Sequence, residues 1–161
     1  MYTQEDWKDI NTMLRKRWLI TAVPAVLVLA AAIWVFVYGR MQRSDSIWRI
    51  TSLLTLLGGG YFLFFYGVYV RPAALYRKHL TYMLQGRKRT TTGVYKFFSE
   101  DIYDRDGLEC HSMLINIGEK NDPEDDRLFY YDAYKPAPAF EMGEKITVIS
   151  NDKMVSSIHA A

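Results

Sequence analysis

Residues 18–38 read WLITAVPAVLVLAAAIWVFVY, and residues 50–70 read ITSLLTLLGGGYFLFFYGVYV. Neither stretch of 21 residues contains Asp, Glu, Lys or Arg. At about 1.5 Å per residue, each would span roughly 30 Å as a helix, which is the thickness of a bilayer's hydrocarbon core. Lipid offers no partner to a free backbone N–H or C=O, so a crossing segment must be helical. The whole chain has 161 residues, and what remains is too short to bury two such helices in a soluble core. Both stretches are therefore read as transmembrane helices. The mean hydropathy of −0.11 hides them, because the flanking segments are as polar as the runs are apolar.

The flanks agree with this reading. Trp18, Trp34 and Tyr38 border the first run, and Trp48, Tyr66 and Tyr69 border the second. Trp and Tyr settle at the membrane–water interface, ring in lipid and polar atom in water. Arg49, at the mouth of the second run, snorkels outward. A cleaved signal sequence fits poorly: Ala30 and Ala32 are small, but the apolar run continues through Val37 and a long segment precedes it. The N-terminal flank carries Lys8, Arg15, Lys16 and Arg17. The segment after the second run carries Arg71, Arg77, Lys78, Arg87, Lys88 and Arg89. The intervening turn, residues 39–49, carries Arg40, Arg43 and Arg49. The positive-inside bias puts both termini in the cytoplasm and the turn outside, in a plasma membrane of bacterial type.

Residues 1–17 are expected to form an amphipathic helix along the inner membrane surface. Thr3 caps it, with Asp6 three residues on in a box-like role, and Trp7, Ile10 and Leu14 make one apolar stripe. Residues 71–92 are expected to continue the second helix, kinked near Pro72 and stopped at Gly86, and then to form a basic linker. Arg15, Lys16, Arg17, Arg87, Lys88 and Arg89 are the candidate contacts to anionic lipid headgroups.

From residue 93 the pattern turns strand-like. Val94 to Tyr103, Leu108 to Ile117, Arg127 to Tyr131, Phe140 to Ile149 and Met154 to Ile158 read as strands. Asp104-Arg105-Asp106-Gly107 and Asn151-Asp152 mark hairpin turns. Glu119 to Asp126 is an acidic loop. Five short strands left flat would expose edges and an apolar face, so residues 93–161 are read as a small OB-like or SH3-like barrel. The order of elements, a membrane hairpin followed by a small cytoplasmic barrel, resembles that of the NfeD-type proteins. The resemblance covers the architecture and rests on no sequence motif.

Residues 1–92 hold 13 basic and 4 acidic side chains, net +9, whereas residues 93–161 hold 7 and 14, net −7. An acidic barrel repels nucleic-acid phosphates, so no nucleic-acid partner is expected. The motif inventory argues against an enzyme: there is no Gly-x-Ser-x-Gly elbow, no phosphate loop and no His-Glu-x-x-His. Cys110 and His111 are neighbours whose side chains leave a strand on opposite faces. The acidic turns lack the spacing of a calcium loop. No cofactor or metal is therefore expected.

Small residues repeat along the spans. Ser52, Thr55 and Gly59 fall three and four apart, Gly60 and Gly67 seven apart, and Ala25 and Ala32 seven apart, all of which would let helices approach closely. The expected function is that of an integral membrane binding or scaffold protein. Its helices pack in lipid, and its acidic domain engages a membrane or cytoplasmic protein, or a second copy. Tyr130, Tyr131 and Tyr134 are the candidate contacts, with Tyr95 and Tyr103 behind them. An oligomeric pore or transporter accessory subunit is the alternative.

Overall fold

A computed structural model describes residues 1–42, 46–118 and 122–161. The middle of the expected turn, Arg43 included, and the start of the acidic loop at Glu119 lie outside the described residues. The chain divides into two compact units, residues 9–74 and residues 1–8 together with 75–161.

Residues 9–74 form a helical hairpin. Helix α1, Gln4–Met41, runs without a break, so the expected interfacial helix and first span are one element. Nothing in residues 15–18 breaks helical continuity: the run holds no Gly or Pro. Helix α2, Ile47–Phe65, returns antiparallel to it and buries none of its residues. Only 11% of the most apolar window of α1 and 6% of that of the second long helix is buried. Both are long and apolar enough to cross a membrane. A core helix of a soluble protein would instead be mostly enclosed.

Between α2 and α3 (Arg71–Gln85) the helix widens into one π-turn, Tyr66–Val70. The cause stands two residues beyond it. Pro72 has no N–H to donate, and its ring crowds the carbonyl four residues back. A π-turn relieves that crowding within a continuous helix. Gly86 ends α3 as expected, its N–H bonded to the Tyr82 carbonyl at 2.8 Å.

The second unit is built on a mostly antiparallel six-stranded sheet. Its strands are β1 (Arg89–Phe98), β2 (Tyr103–Arg105), β3 (Leu108–Asn116), β4 (Asp126–Asp132), β5 (Lys145–Asn151) and β6 (Met154–Ala160). β1 starts earlier than the expected boundary at residue 93. Thr90, Thr91 and Thr92, expected as linker, pair with Ile149, Val148 and Thr147. β-branched residues suit such a ladder. The strand order is β1-β5-β6-β4-β3-β2, and β1 pairs with β3 as well. The β4–β6 contact is parallel and is registered at one pair, Tyr130 and Met154. Tyr95, Met113, Ile115, Phe129, Tyr131, Ile146, Val148 and Val155 fill the interior. At the β2–β3 turn Asp106 and Gly107 adopt φ of 57° and 78°.

Candidate functional site

The first eight residues belong to the same compact unit as the β-domain. Thr3 and Asp6 form the expected reciprocal cap. The Asp6 N–H donates to Thr3 Oγ1 at 3.1 Å, and the Thr3 N–H donates to Asp6 Oδ2 at 2.8 Å. Asp6 Oδ1 also accepts from Lys135 Nζ at 3.1 Å, and Trp7 Nε1 donates to Thr81 Oγ1 at 3.1 Å. Burial pushes the Asp6 carboxyl up, but the hydrogen bonds from Thr3 and Lys135 outweigh it and hold it below the usual range. These polar contacts hold the start of the segment against α3 and the β-domain.

Tyr2 leads this segment into a polar cluster. Asp132, at the end of β4, is 2% exposed. Its Oδ2 accepts from the Tyr2 hydroxyl at 3.2 Å and the Tyr76 hydroxyl at 2.9 Å, and its Oδ1 accepts from the Tyr134 N–H at 2.9 Å. A buried carboxylate survives without a cation only when donors saturate it, and three do so here. The Tyr2 oxygen also lies 3.1 Å from His79 Nε2. With the single Tyr2 proton committed to Asp132, Nε2–H of His79 is the donor, which assigns the histidine tautomer from the network. The two rings meet edge to face, with centroids 5.4 Å apart.

Beneath this cluster lie Met83, Cys110 and Met154, with Tyr2, Leu108 and Tyr130 packed against them. The Cys110 sulfur is fully enclosed, 3.9 Å from that of Met154. Burial, helped by the charge of Asp132, pushes its thiol up to about 11. Burial and Asp132 push the hydroxyls of Tyr2 and Tyr76 up as well. Burial lowers His79, and the attraction of Asp132 offsets this only in part. Near neutrality the thiol and the phenols therefore keep their protons and the imidazole is uncharged. Such groups hold structure by hydrogen bonding and are poorly placed to act as nucleophiles.

An open cleft of about 420 Å³ lies beside the cluster, edged by Lys78, His79, Tyr82, Arg105, Asp152 and Met154. Arg105 bonds Asp152 through Nη2 at 3.0 Å and lies over the Tyr130 ring at 4.2 Å. Its Nη1 is buried without a hydrogen-bond partner. Among the described residues, no group of three or more His, Cys, Asp or Glu stands close enough to hold a metal ion.

The residues expected at the interfaces fall in several places. Tyr131 is buried in the sheet interior, its hydroxyl bonded to the Pro136 carbonyl, so it is not available to a partner. Tyr95 is buried as well. Tyr130 is half-buried under Arg105, while Tyr134 is 65% exposed and meets the Tyr76 ring edge-on. Tyr103 is exposed. The expectation followed residue type, whereas strand alternation sorts odd from even positions on β4.

Ser52, Thr55, Gly59, Gly60 and Gly67 are exposed on the hairpin. A Cβ at Gly59, Gly60 or Gly67 would meet nothing within 4 Å. Close approaches occur at Gly39, where a Cβ would run into the Ile47 side chain, and at Gly58, where it would stand 2.7 Å from Val28 Cγ1. Gly58 sits inside the Gly58-Gly59-Gly60 run, and only the phase of α2 against α1 distinguishes it. Ala25 and Gly58 line an apolar groove of about 320 Å³ with Ala22, Val28, Leu54 and Phe62. Ala32 is buried. Arg15 and Lys16 are exposed, but Arg17 turns inward, Nη1 bonded to the Tyr69 carbonyl at 2.9 Å. Arg87, Lys88 and Arg89 are exposed at the entrance to β1.

The exposed apolar surface of the β-domain was not anticipated. Across β1, β3 and β4, Phe97 pairs with Leu114 and Leu114 with Leu128. They form one row on the face opposite Met113 and Ile115. Phe97 and Leu128 are 49% and 40% exposed. The alternation of β3 carries the signal. No known protein family, curated protein or solved structure matches the chain, so its function is read from this geometry.

Proposed function

We propose that this chain is an integral membrane binding or scaffold protein, without catalytic activity, whose hairpin is held in lipid and whose β-domain engages a protein partner. The observation that carries the reading is the hairpin itself: two membrane-length helices free of internal charge whose apolar surface is left almost entirely open. The ring of pairings from β1 through β5, β6, β4 and β3 back to β1 supports an OB-like barrel, left partly open at the single β4–β6 pair. The Phe97–Leu114–Leu128 row on its outer wall, rather than the tyrosines, is the docking face. The chain's charge division favours both termini in the cytoplasm, where the basic residues before and after the hairpin meet anionic headgroups.

The test uses the full chain. After alkaline carbonate treatment it stays with the membrane fraction, and in detergent its complex exceeds the 18.8 kDa of the single chain by a stoichiometric partner. In a Cys110→Ala background, Gln42→Cys reacts with an impermeant maleimide from outside intact cells and Asp152→Cys does not. A chain released by carbonate, a monodisperse single copy, or the opposite labelling pattern overturns the reading.

A further inference from the structure

We propose that residues 1–8 form a strap over the Cys110 cluster and that protonation of His79 releases it. This proposal does not depend on what the β-domain binds.

The strap is fastened at three points: Tyr2 to Asp132 and His79, Asp6 to Lys135, and Trp7 to Thr81. Tyr2 is the only one that reaches the buried cluster, and its hydroxyl is shared between a carboxylate and an imidazole. Neutral His79 completes that bridge by donating Nε2–H. The ring is 6% exposed, and among the described residues Tyr2 is its one hydrogen-bonding partner. A second proton would place a full charge on this largely buried ring, a costly arrangement.

The groups around the ring set the balance. Tyr2 faces it from the strap, Tyr76 from its own helix, Glu109 and Cys110 from β3, Asp132 from β4 and Tyr134 from the following loop. Lys78, Arg105, Asp106 and Asp152 stand around the cleft, with Arg105 and Asp152 paired to each other. Lys135 lies 5.6 Å from the centre of the Tyr2 ring and pairs Asp6. Asp132 favours the charged imidazole, but its lone pairs are already engaged by three donors. Burial disfavours the charge and is the larger effect. Tyr2 covers the His79 ring edge to face, so opening the strap eases that burial and lets the ring bind its proton more strongly. Closure is full above the ordinary histidine value of 6.5 and weakens as pH falls below it.

Cys110 is the only cysteine in the chain and lies under Tyr2, so its labelling reports the strap. The full chain in phosphatidylcholine nanodiscs is treated with 4,4′-dithiodipyridine, which also reacts in mild acid. Each rate is divided by that of an SDS-unfolded sample at the same pH. The wild-type ratio rises between pH 7.5 and pH 5, since the group that binds its proton less tightly when buried favours the open strap in acid. Tyr2→Phe raises the ratio at pH 7.5, and His79→Gln removes the pH dependence. A wild-type ratio that is flat or falls toward pH 5, or a His79→Gln profile like that of wild type, overturns the proposal. Amide exchange of wild type gives a reading that needs no variant. After correction for intrinsic rates, β3 and β5 keep their protection over this interval, so the added reactivity of Cys110 does not come from unfolding. Uniform loss across the sheet signals unfolding and overturns the proposal as well.

Discussion

The Tyr2 hydroxyl reaches the Asp132 carboxylate at 3.2 Å although 130 positions separate the two residues. α1 begins two residues after Tyr2, and α3 leads directly into β1 by way of Gly86. The first residues of the chain are therefore held to the β-domain by the Tyr2 clasp. Asp132 anchors the clasp because it accepts from Tyr2, Tyr76 and Tyr134 at once.

Removing that acceptor leaves two part-buried hydroxyls and a backbone N–H without their partner. Asp132→Ala is expected to destabilise the β-domain by roughly 2–4 kcal/mol. Asp132→Asn keeps one carbonyl oxygen as acceptor and should lose less, and Tyr2→Phe about 1 kcal/mol. Thermal melts of the full chain in detergent, followed by near-ultraviolet circular dichroism, order the three variants. Equal melting temperatures for Asp132→Ala and wild type would show that the carboxylate anchors nothing.

Asp6 makes the clasp sensitive to strong acid in a separate range. Hydrogen bonds from Thr3 and Lys135 hold its carboxyl below the ordinary 3.8, despite the opposing effect of burial. A lowered carboxyl favours the folded state above its ordinary value, and that advantage is lost as pH falls through the lowered one. The pair with Lys135 is partly exposed, so its worth is about 0.5–1 kcal/mol. Lys135→Met should therefore lower stability at pH 7, and the deficit should shrink as pH falls below 3.8. A deficit that persists undiminished at pH 2.5 would mean that Lys135 acts through packing alone.

Within the hairpin, neighbouring glycines are expected to respond in opposite ways. Gly58→Leu forces a side chain against Val28 and separates the helices, whereas Gly59→Leu enters open space within one chain. Proximity cross-linking between Val28→Cys and Leu54→Cys, in a Cys110→Ala background, should fall with Gly58→Leu and survive Gly59→Leu. If Gly59→Leu instead abolishes assembly between copies while sparing the hairpin, that face packs between molecules. Equal effects of the two substitutions on the intramolecular cross-link would refute the register described here.

The parts legible in the sequence are those encoded locally. Charge-free length marked the helices, Thr3 with Asp6 marked the cap, and Asp106-Gly107 marked the turn, where both φ values are positive. The cluster was not legible, because its members come from residues 2, 76, 79 and 132 and none sits in a motif. Asp132 follows two tyrosines and precedes a proline-rich segment, so it reads as a solvated strand end until α3 and the strap cover it. Gly58 illustrates the same limit, since three consecutive glycines offer three phases and only packing against Val28 selects one.

The outer face of the sheet supplies the last expectation. Phe97, Leu114 and Leu128 continue across three strands, and Leu128 opposes neither the interior cluster nor the strap. An exposed side chain of this kind contributes little to folding, and replacing it changes stability by about 0.5 kcal/mol or less. A central apolar contact in an interface is different, since its truncation costs about 1–2 kcal/mol or more of binding. Leu128→Arg should therefore leave the melting temperature of the full chain almost unchanged while dissociating the complex purified in detergent. Ser157→Arg, on β6, is the matched control and should leave the complex whole. If Leu128→Arg melts as wild type and the complex also persists, the row is ordinary exposed surface and the partner docks elsewhere.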